Sequence, residues 1–122
     1  MEARRALGSA GERAAERFLR TRGYRILARN FRTRYGEIDL VARDGRTVVF
    51  VEVKTRRGTG YGMPEEAVTA AKRRHLILAA RIYLSLSRLE EVDWRVDVIG
   101  LLCTAHGSWE VRHFPNAVEG LI

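Results

Sequence analysis

At 122 residues, 46% hydrophobic and 30% charged, the chain is long enough for one domain with a real core, and its composition fits a soluble globular protein. Its 22 basic and 15 acidic residues leave a formal charge of +7, which favours polyanionic partners such as nucleic acid without bearing on the fold. No apolar run approaches the ~20 residues of a membrane span and the N-terminal stretch has no signal-peptide core, so a cytoplasmic protein with no membrane partner is expected.

The single cysteine, Cys103, excludes an internal disulfide, and it closes an apolar run, which predicts a buried, inert thiol. His75, His106 and His113 lack metal-ligand spacing. Of the 22 basic residues only Lys54 and Lys72 are lysine. An arginine excess can follow from coding composition alone, which makes a retained lysine informative.

Residues 1–8 read as a basic lead-in. Ser9 and Glu12 have capping-box spacing, so a helix is predicted from Ser9, with Ala14, Ala15, Phe18 and Leu19 as its apolar face and Gly23 as its end. Glu12 then has two readings, a cap or a site residue, while Glu16 reads as solvated. Tyr24 to Phe31 reads as a strand, made basic by Arg25, Arg29, Arg32 and Arg34.

Gly36 to Lys54, GEIDLVARDGRTVVFVEVK, reads as a β-hairpin about Asp44-Gly45. With those two residues as the loop, Asp39 faces Phe50 and Glu37 faces Glu52. Ile38, Leu40, Ala42, Thr47, Val49, Val51 and Val53 share one face, against a helical layer. The other face gathers Glu37, Asp39, Glu52 and Lys54 at the open end, with Asp39 and Glu52 as diagonal neighbours at roughly 7–8 Å. Carboxylates so placed repel, and a divalent cation with oxygen ligands would relieve them. A polar strand face that simply meets solvent is the competing reading.

Thr55 to Gly62 reads as a basic, glycine-rich loop without a P-loop ending, in which Arg56 and Arg57 would meet phosphates and Tyr61 would stack on a base. Pro64, Glu65 and Glu66 predict the start of a helix running to about Ser87. Val68, Ala71, His75, Leu78, Ile82 and Leu86 are its expected buried stripe, and Lys72, Arg73 and Arg74 an outer basic turn that would grip a phosphate backbone. Val92 to Leu102 and Ser108 to Phe114 read as strands, and residues 115–122 as a tail. The order predicts a single α/β domain spanning 1–122, a mixed sheet with a central hairpin flanked by helices.

GEIDL at Gly36 to Leu40, followed by VFVEVK at Val49 to Lys54, resembles the D…ExK signature of the PD-(D/E)xK, or restriction-endonuclease-like, nuclease superfamily. With GERAAERFLRTRGY at Gly11 to Tyr24, the Lys72 helix and Arg95 to Ile99, nearly the whole chain resembles its YraN branch. Ile38 stands where the PD motif has proline, Val96 stands where the branch has an aromatic, and Glu37 is an extra acid. The resemblance implies a restriction-endonuclease-like fold, like that of the archaeal Holliday-junction resolvases, and a magnesium- or manganese-dependent endonuclease acting on DNA, with branched or structured DNA as a candidate substrate. By position it makes Asp39, Glu52 and the carbonyl of Val53 metal ligands, Lys54 the residue that orients the attacking water, and Glu12 the resolvases' early glutamate. Glu37 would be a ligand, a base beside the ligands or a partner for an arginine. A homodimer through the Trp94 and Trp109 strands is the corresponding assembly. The alternative is a nucleic-acid-binding module that keeps the fold without turnover.

Overall fold

A computed structural model describes residues 2–57 and 69–117, with side chains from residue 7 onward. Tyr61, Pro64, Glu65, Glu66 and Val68 lie outside the described residues. The first helix, α1, spans Glu2–Thr21. Ala, Arg, Glu and Leu dominate its first turns and carry the helix straight through Ser9, which is therefore not an N-cap. Glu12 is freed from the capping role.

Ala14, Ala15 and Leu19 are buried as predicted. Gly23, at φ +86°, closes the helix by donating to the Arg20 carbonyl, while Tyr24 N–H reaches Leu19 O. Five strands follow in a sheet of order β1-β2-β3-β4-β5: β1 (Arg25–Thr33), β2 (Gly36–Asp44), β3 (Thr47–Arg57), β4 (Trp94–Cys103) and β5 (Trp109–Phe114). Only β3 and β4 pair in parallel, and between them runs α2 (Ala70–Leu86). The result is a small α/β domain with a mixed sheet.

The hairpin forms, but its loop is Gly45-Arg46 rather than Asp44-Gly45. Asp44 pairs with Thr47, Val41 with Phe50 and Leu40 with Val51. Gly45 adopts φ +60° at the first loop position, where a glycine-first turn needs it. The slip is two residues in pairing, so most side chains keep their predicted faces.

α1 covers Leu40, Ala42, Val49, Val51, Ile99 and Leu101; α2 covers Val41, Val48, Phe50, Val96 and Val98. The central strands are thus buried on both faces. Ile38 lies with Val41 on the α2 side, not with Leu40 as alternation predicts.

α2 starts at Ala70, where Thr69 caps it by accepting the Lys72 N–H at 3.2 Å, rather than at Pro64. Its buried stripe is Leu76, Ile77, Ala79, Ala80 and Leu84. The expected stripe was out of phase: His75 is exposed, as are Leu78 and Leu86. The helix is apolar on two sides, and aromatic contacts decide between them, with Tyr83 edge-on to both Phe31 and Phe50.

Three further expectations need correction. Arg56 and Arg57 belong to β3, paired with Leu102 and Cys103, not to a loop. Cys103 is only half-buried. Residues 115–117 are a pinned turn, since Asn116 N–H donates to Asp97 and Ala117 N–H to Val96 O. Trp94 and Trp109 are half-buried against their own chain's two cores.

Asp97 is fully buried under α1, held by Arg95 at 3.0 Å, His113 at 2.7 Å and Asn116 N–H at 2.9 Å. Burial alone would raise its carboxyl, but the bonds from His113, Asn116 and Arg95 hold it below the ordinary value. A depressed carboxyl contributes stability that is present above its unfolded value, about 4, and lost as pH falls through the folded one. Wild-type protein should therefore lose stability below about pH 4 more steeply than Asp97→Asn, which starts weaker at pH 7; parallel pH profiles of melting temperature for the two would overturn this.

Gly11, buried where α1 crosses β3, has a tighter role. A Cβ there would overlap the hydroxyl of Thr55. Gly11→Ala should destabilise by about 1–3 kcal/mol in chemical denaturation, and adding Thr55→Ala should recover part of the loss.

Candidate active site

The sheet opens at Asp39. The β2–β3 pairing ends at Leu40–Val51, and one step on in that register Asp39 falls opposite Glu52 rather than diagonal to it. Alternation along β2 breaks at the same residue, since Ile38 and Val41 face α2 while Leu40 faces α1. The Val53 N–H donates to Asp39 Oδ2 at 2.7 Å instead of to a β2 carbonyl. A strand residue's N–H and C=O share a side, so the Val53 carbonyl also points into the gap.

Glu52 is 3% exposed. Its Oε1 receives Lys54 Nζ at 3.3 Å and Lys72 Nζ at 3.5 Å. Its Oε2 is buried with no hydrogen-bond partner. An orphaned buried carboxylate oxygen is costly and asks for a cation or a proton.

Asp39 carries the same demand. Burial pushes its carboxyl up to about 7, helped by the charges of Glu52, Glu12 and Glu37 and opposed by the Val53 N–H. Two oxygens on opposed strands, one orphaned and one on a carboxyl reluctant to ionise, together with a strand carbonyl, fit a hard divalent cation that keeps water in its other positions. Among the described residues no group of three or more His, Cys, Asp or Glu side chains gathers as a metal cage. The fit is that of two carboxylates and a carbonyl.

Glu12 reaches the site's edge through a residue that sequence reasoning missed. Asn30 stands opposite Asp39, between the Arg29–Leu40 and Phe31–Ile38 pairs, with φ +51°. Its Nδ2 donates to Glu37 Oε1 at 2.6 Å and to Glu12 Oε1 at 3.3 Å. The available signal was chemical: asparagine tolerates the left-handed region better than other side chains, and it interrupts an otherwise apolar and basic strand. Glu37 meets Arg32 across the β1–β2 ladder at 3.5 Å rather than Glu52.

Glu16 is an anchor and not a solvated bystander. It accepts two bonds from Arg29 at 2.6 Å and one from Arg20 at 3.0 Å, and Arg29 first of all holds its carboxyl below the ordinary value. The pair ties α1 to β1 and walls a groove of about 230 Å³ lined by Glu12, Arg13, Glu16, Arg29 and Asn30.

Of the residues predicted to bind nucleic acid, Lys72 is drawn into the site itself. Arg73 is half-buried with an unpartnered Nε, Arg56 is half-buried beside its own strand, and Arg57 is exposed. Tyr61 falls outside the described residues. Among those described, no helix is long and apolar enough to cross a membrane.

Fold and site together define a small α/β protein built around a carboxylate–lysine cleft. Residues 11–101 match the family described as uncharacterised protein family UPF0102, and the chain belongs to that family. It is 52% identical over 113 residues to the UPF0102 protein STH1475 of Symbiobacterium thermophilum, covering 93% of this chain and 96% of that one. It is 44% identical over 115 residues to a UPF0102 protein of Geotalea daltonii, with 94% and 91% covered. With a UPF0102 protein of Nocardia farcinica it shares 50% identity over 101 residues, 83% and 80% of the two chains. The matched segment begins at the close-approach glycine and contains Glu12, Asp39, Glu52, Lys54 and Lys72.

The raised Asp39 carboxyl fixes a sign. A carboxyl whose folded value lies near 7 and whose unfolded value lies near 4 makes its own contribution to the metal-free protein's stability most favourable below about pH 4 and less favourable as pH rises towards 7. Asp39→Asn, which keeps an acceptor for Val53 N–H, should melt several degrees above wild type at pH 8 in chelator and no higher at pH 4. A lower melting temperature at pH 8 would contradict this account.

Proposed function

We propose that the protein is a divalent-metal-dependent endonuclease that hydrolyses phosphodiester bonds in DNA, with branched or otherwise structured DNA as substrate, on a restriction-endonuclease-like fold. The observation that carries the reading is the meeting of Asp39 and Glu52 where β2 and β3 part, with Glu52 Oε2 buried and unpartnered. A bound magnesium or manganese ion would be held by Asp39, Glu52 and the Val53 carbonyl and would supply Lewis-acid activation of phosphate and water.

The chain's own residues do the rest. Lys54, 23% exposed, reaches from the Glu52 carboxylate towards solvent, where its ammonium can orient the attacking water and stabilise the phosphorane. Glu12, steadied by Asn30, adds negative charge on the α1 side. Arg57 and the exposed arginines of α2 supply sequence-independent phosphate contacts. A four-way junction presents two equivalent strands, which is the reason to propose a working homodimer.

A non-catalytic nucleic-acid-binding module is the second reading. The observation in its favour is that no three acidic or imidazole side chains among the described residues form a cage. It requires salt-sensitive binding that is indifferent to metal.

Calorimetric titration of manganese into wild type and into the Asp39→Ala, Glu52→Ala double variant separates the two. Binding to wild type, absent from the folded variant, together with at least about a 10³-fold loss of branched-DNA cleavage in Asp39→Ala, is expected. No manganese binding to wild type, even with DNA present, would leave the binding module as the better description.

A further inference from the structure

The only two lysines among 22 basic residues lie 18 positions apart in sequence, on a strand and on a helix, and their ammonium groups converge on one carboxylate oxygen. Lys54 Nζ is 3.3 Å and Lys72 Nζ 3.5 Å from Glu52 Oε1. Every other cation in the chain is arginine. A point-like ammonium can share an oxygen with a second one, whereas the planar fork of a guanidinium would claim both oxygens of the carboxylate. Two lysines on Oε1 leave Oε2 open.

One ammonium already balances the charge of Glu52, so the second exceeds what a buried ion pair requires. The exposures show where the surplus points: Glu52 is buried at 4% side-chain exposure, while Lys54 and Lys72 are 23% and 37% exposed. Both stems rise from the carboxylate towards solvent on the α2 side. Lys72 is also built into place, because Thr69 caps α2 through the Lys72 backbone N–H and thereby fixes the first turn against Glu52.

We propose that Lys72 is a second catalytic lysine, which together with Lys54 grips the non-bridging oxygens of the scissile phosphate, so that an ammonium from α2 supplies charge that a second metal ion would otherwise supply. The proposal deepens the endonuclease reading and rests on it. It assigns the site one metal ion per chain, since its two carboxylates and one carbonyl are few ligands for two cations. Bond making and breaking are those of ordinary hydrolysis: water oxygen joins phosphorus, the phosphorus–oxygen bond to the leaving sugar breaks, and one water proton ends on the leaving oxygen. Lys72 stabilises charge on the phosphate throughout and transfers no proton.

The test uses full-length wild type, Lys72→Ala, Lys72→Arg and, as an equal change of charge at the closed end of the β2–β3 hairpin, away from the site, Arg46→Ala, with Lys72→Met in reserve should the alanine variant melt far below wild type. Binding of inorganic phosphate and of a dithymidine phosphodiester is measured by calorimetry in saturating manganese. Lys72→Ala should weaken both by at least about 10-fold, Lys72→Arg should fail to restore them, and Arg46→Ala should stay within about twofold of wild type. Manganese stoichiometry should remain one per chain in all variants. On DNA, Lys72→Ala should lower kcat on the order of 10²-fold with a smaller change in KM. Phosphate affinity unchanged in Lys72→Ala, equal loss in Arg46→Ala, or two manganese ions bound by wild type would each overturn the proposal. Absence of DNA cleavage by wild type would defeat the endonuclease reading instead, and the phosphate titrations would still decide whether Lys72 holds a phosphate.

Discussion

The Val53 N–H bond to the Asp39 carboxylate is the interaction on which the site depends. A sheet cannot leave a buried amide unpaired, so wherever two strands separate something must replace the lost ladder partner. Here a side chain does so. That substitution lets β2 and β3 part without an orphaned amide and fixes one oxygen of Asp39 in the gap. It also turns Ile38 to the α2 side, where it helps close the second core. A hairpin paired to its end would have pointed the same carboxylates along its surface into water.

The helices set the electrostatics of that gap. α1 comes close enough to bring Glu12 to its edge because Gly11 has no side chain to collide with Thr55. The Glu16–Arg29 pair holds the helix to β1, and Asn30 lies just beyond it, linking Glu12 to Glu37. From the other face, the Thr69 cap fixes the start of α2 so that Lys72 meets Glu52. Glu12 thus adds negative charge from the α1 side, and the two ammonium groups lie on the α2 side.

Much of this was legible in the sequence because it is periodic or positional. The hairpin, the Val-rich strands and the terminal glycine of α1 each follow from one local rule, and the acidic end of the hairpin followed even with the register two residues off, because a shift of two preserves faces. What failed was whatever tertiary contacts decide. Ser9 has a cap's chemistry, but the residues before it are helix formers. α2 offered two apolar stripes, and only the meeting of Tyr83 with Phe31 and Phe50 selects one. Asn30 carries no periodicity at all, since its importance comes from standing opposite Asp39.

The distribution of lysine and arginine ties composition to the site. In a +7 chain with 20 arginines to two lysines, guanidinium is the ordinary cation, and Arg29 forks around both oxygens of Glu16. At Glu52 the same solution would be self-defeating. A bidentate arginine would satisfy both carboxylate oxygens, remove the orphaned Oε2 and close the gap to any other cation. Lysine leaves the carboxylate half-engaged, and an incompletely satisfied group in a buried position is unstable alone and complete only with a ligand. The two lysines and the unpartnered oxygen are thus one feature, a buried carboxylate that its cations engage through one oxygen alone.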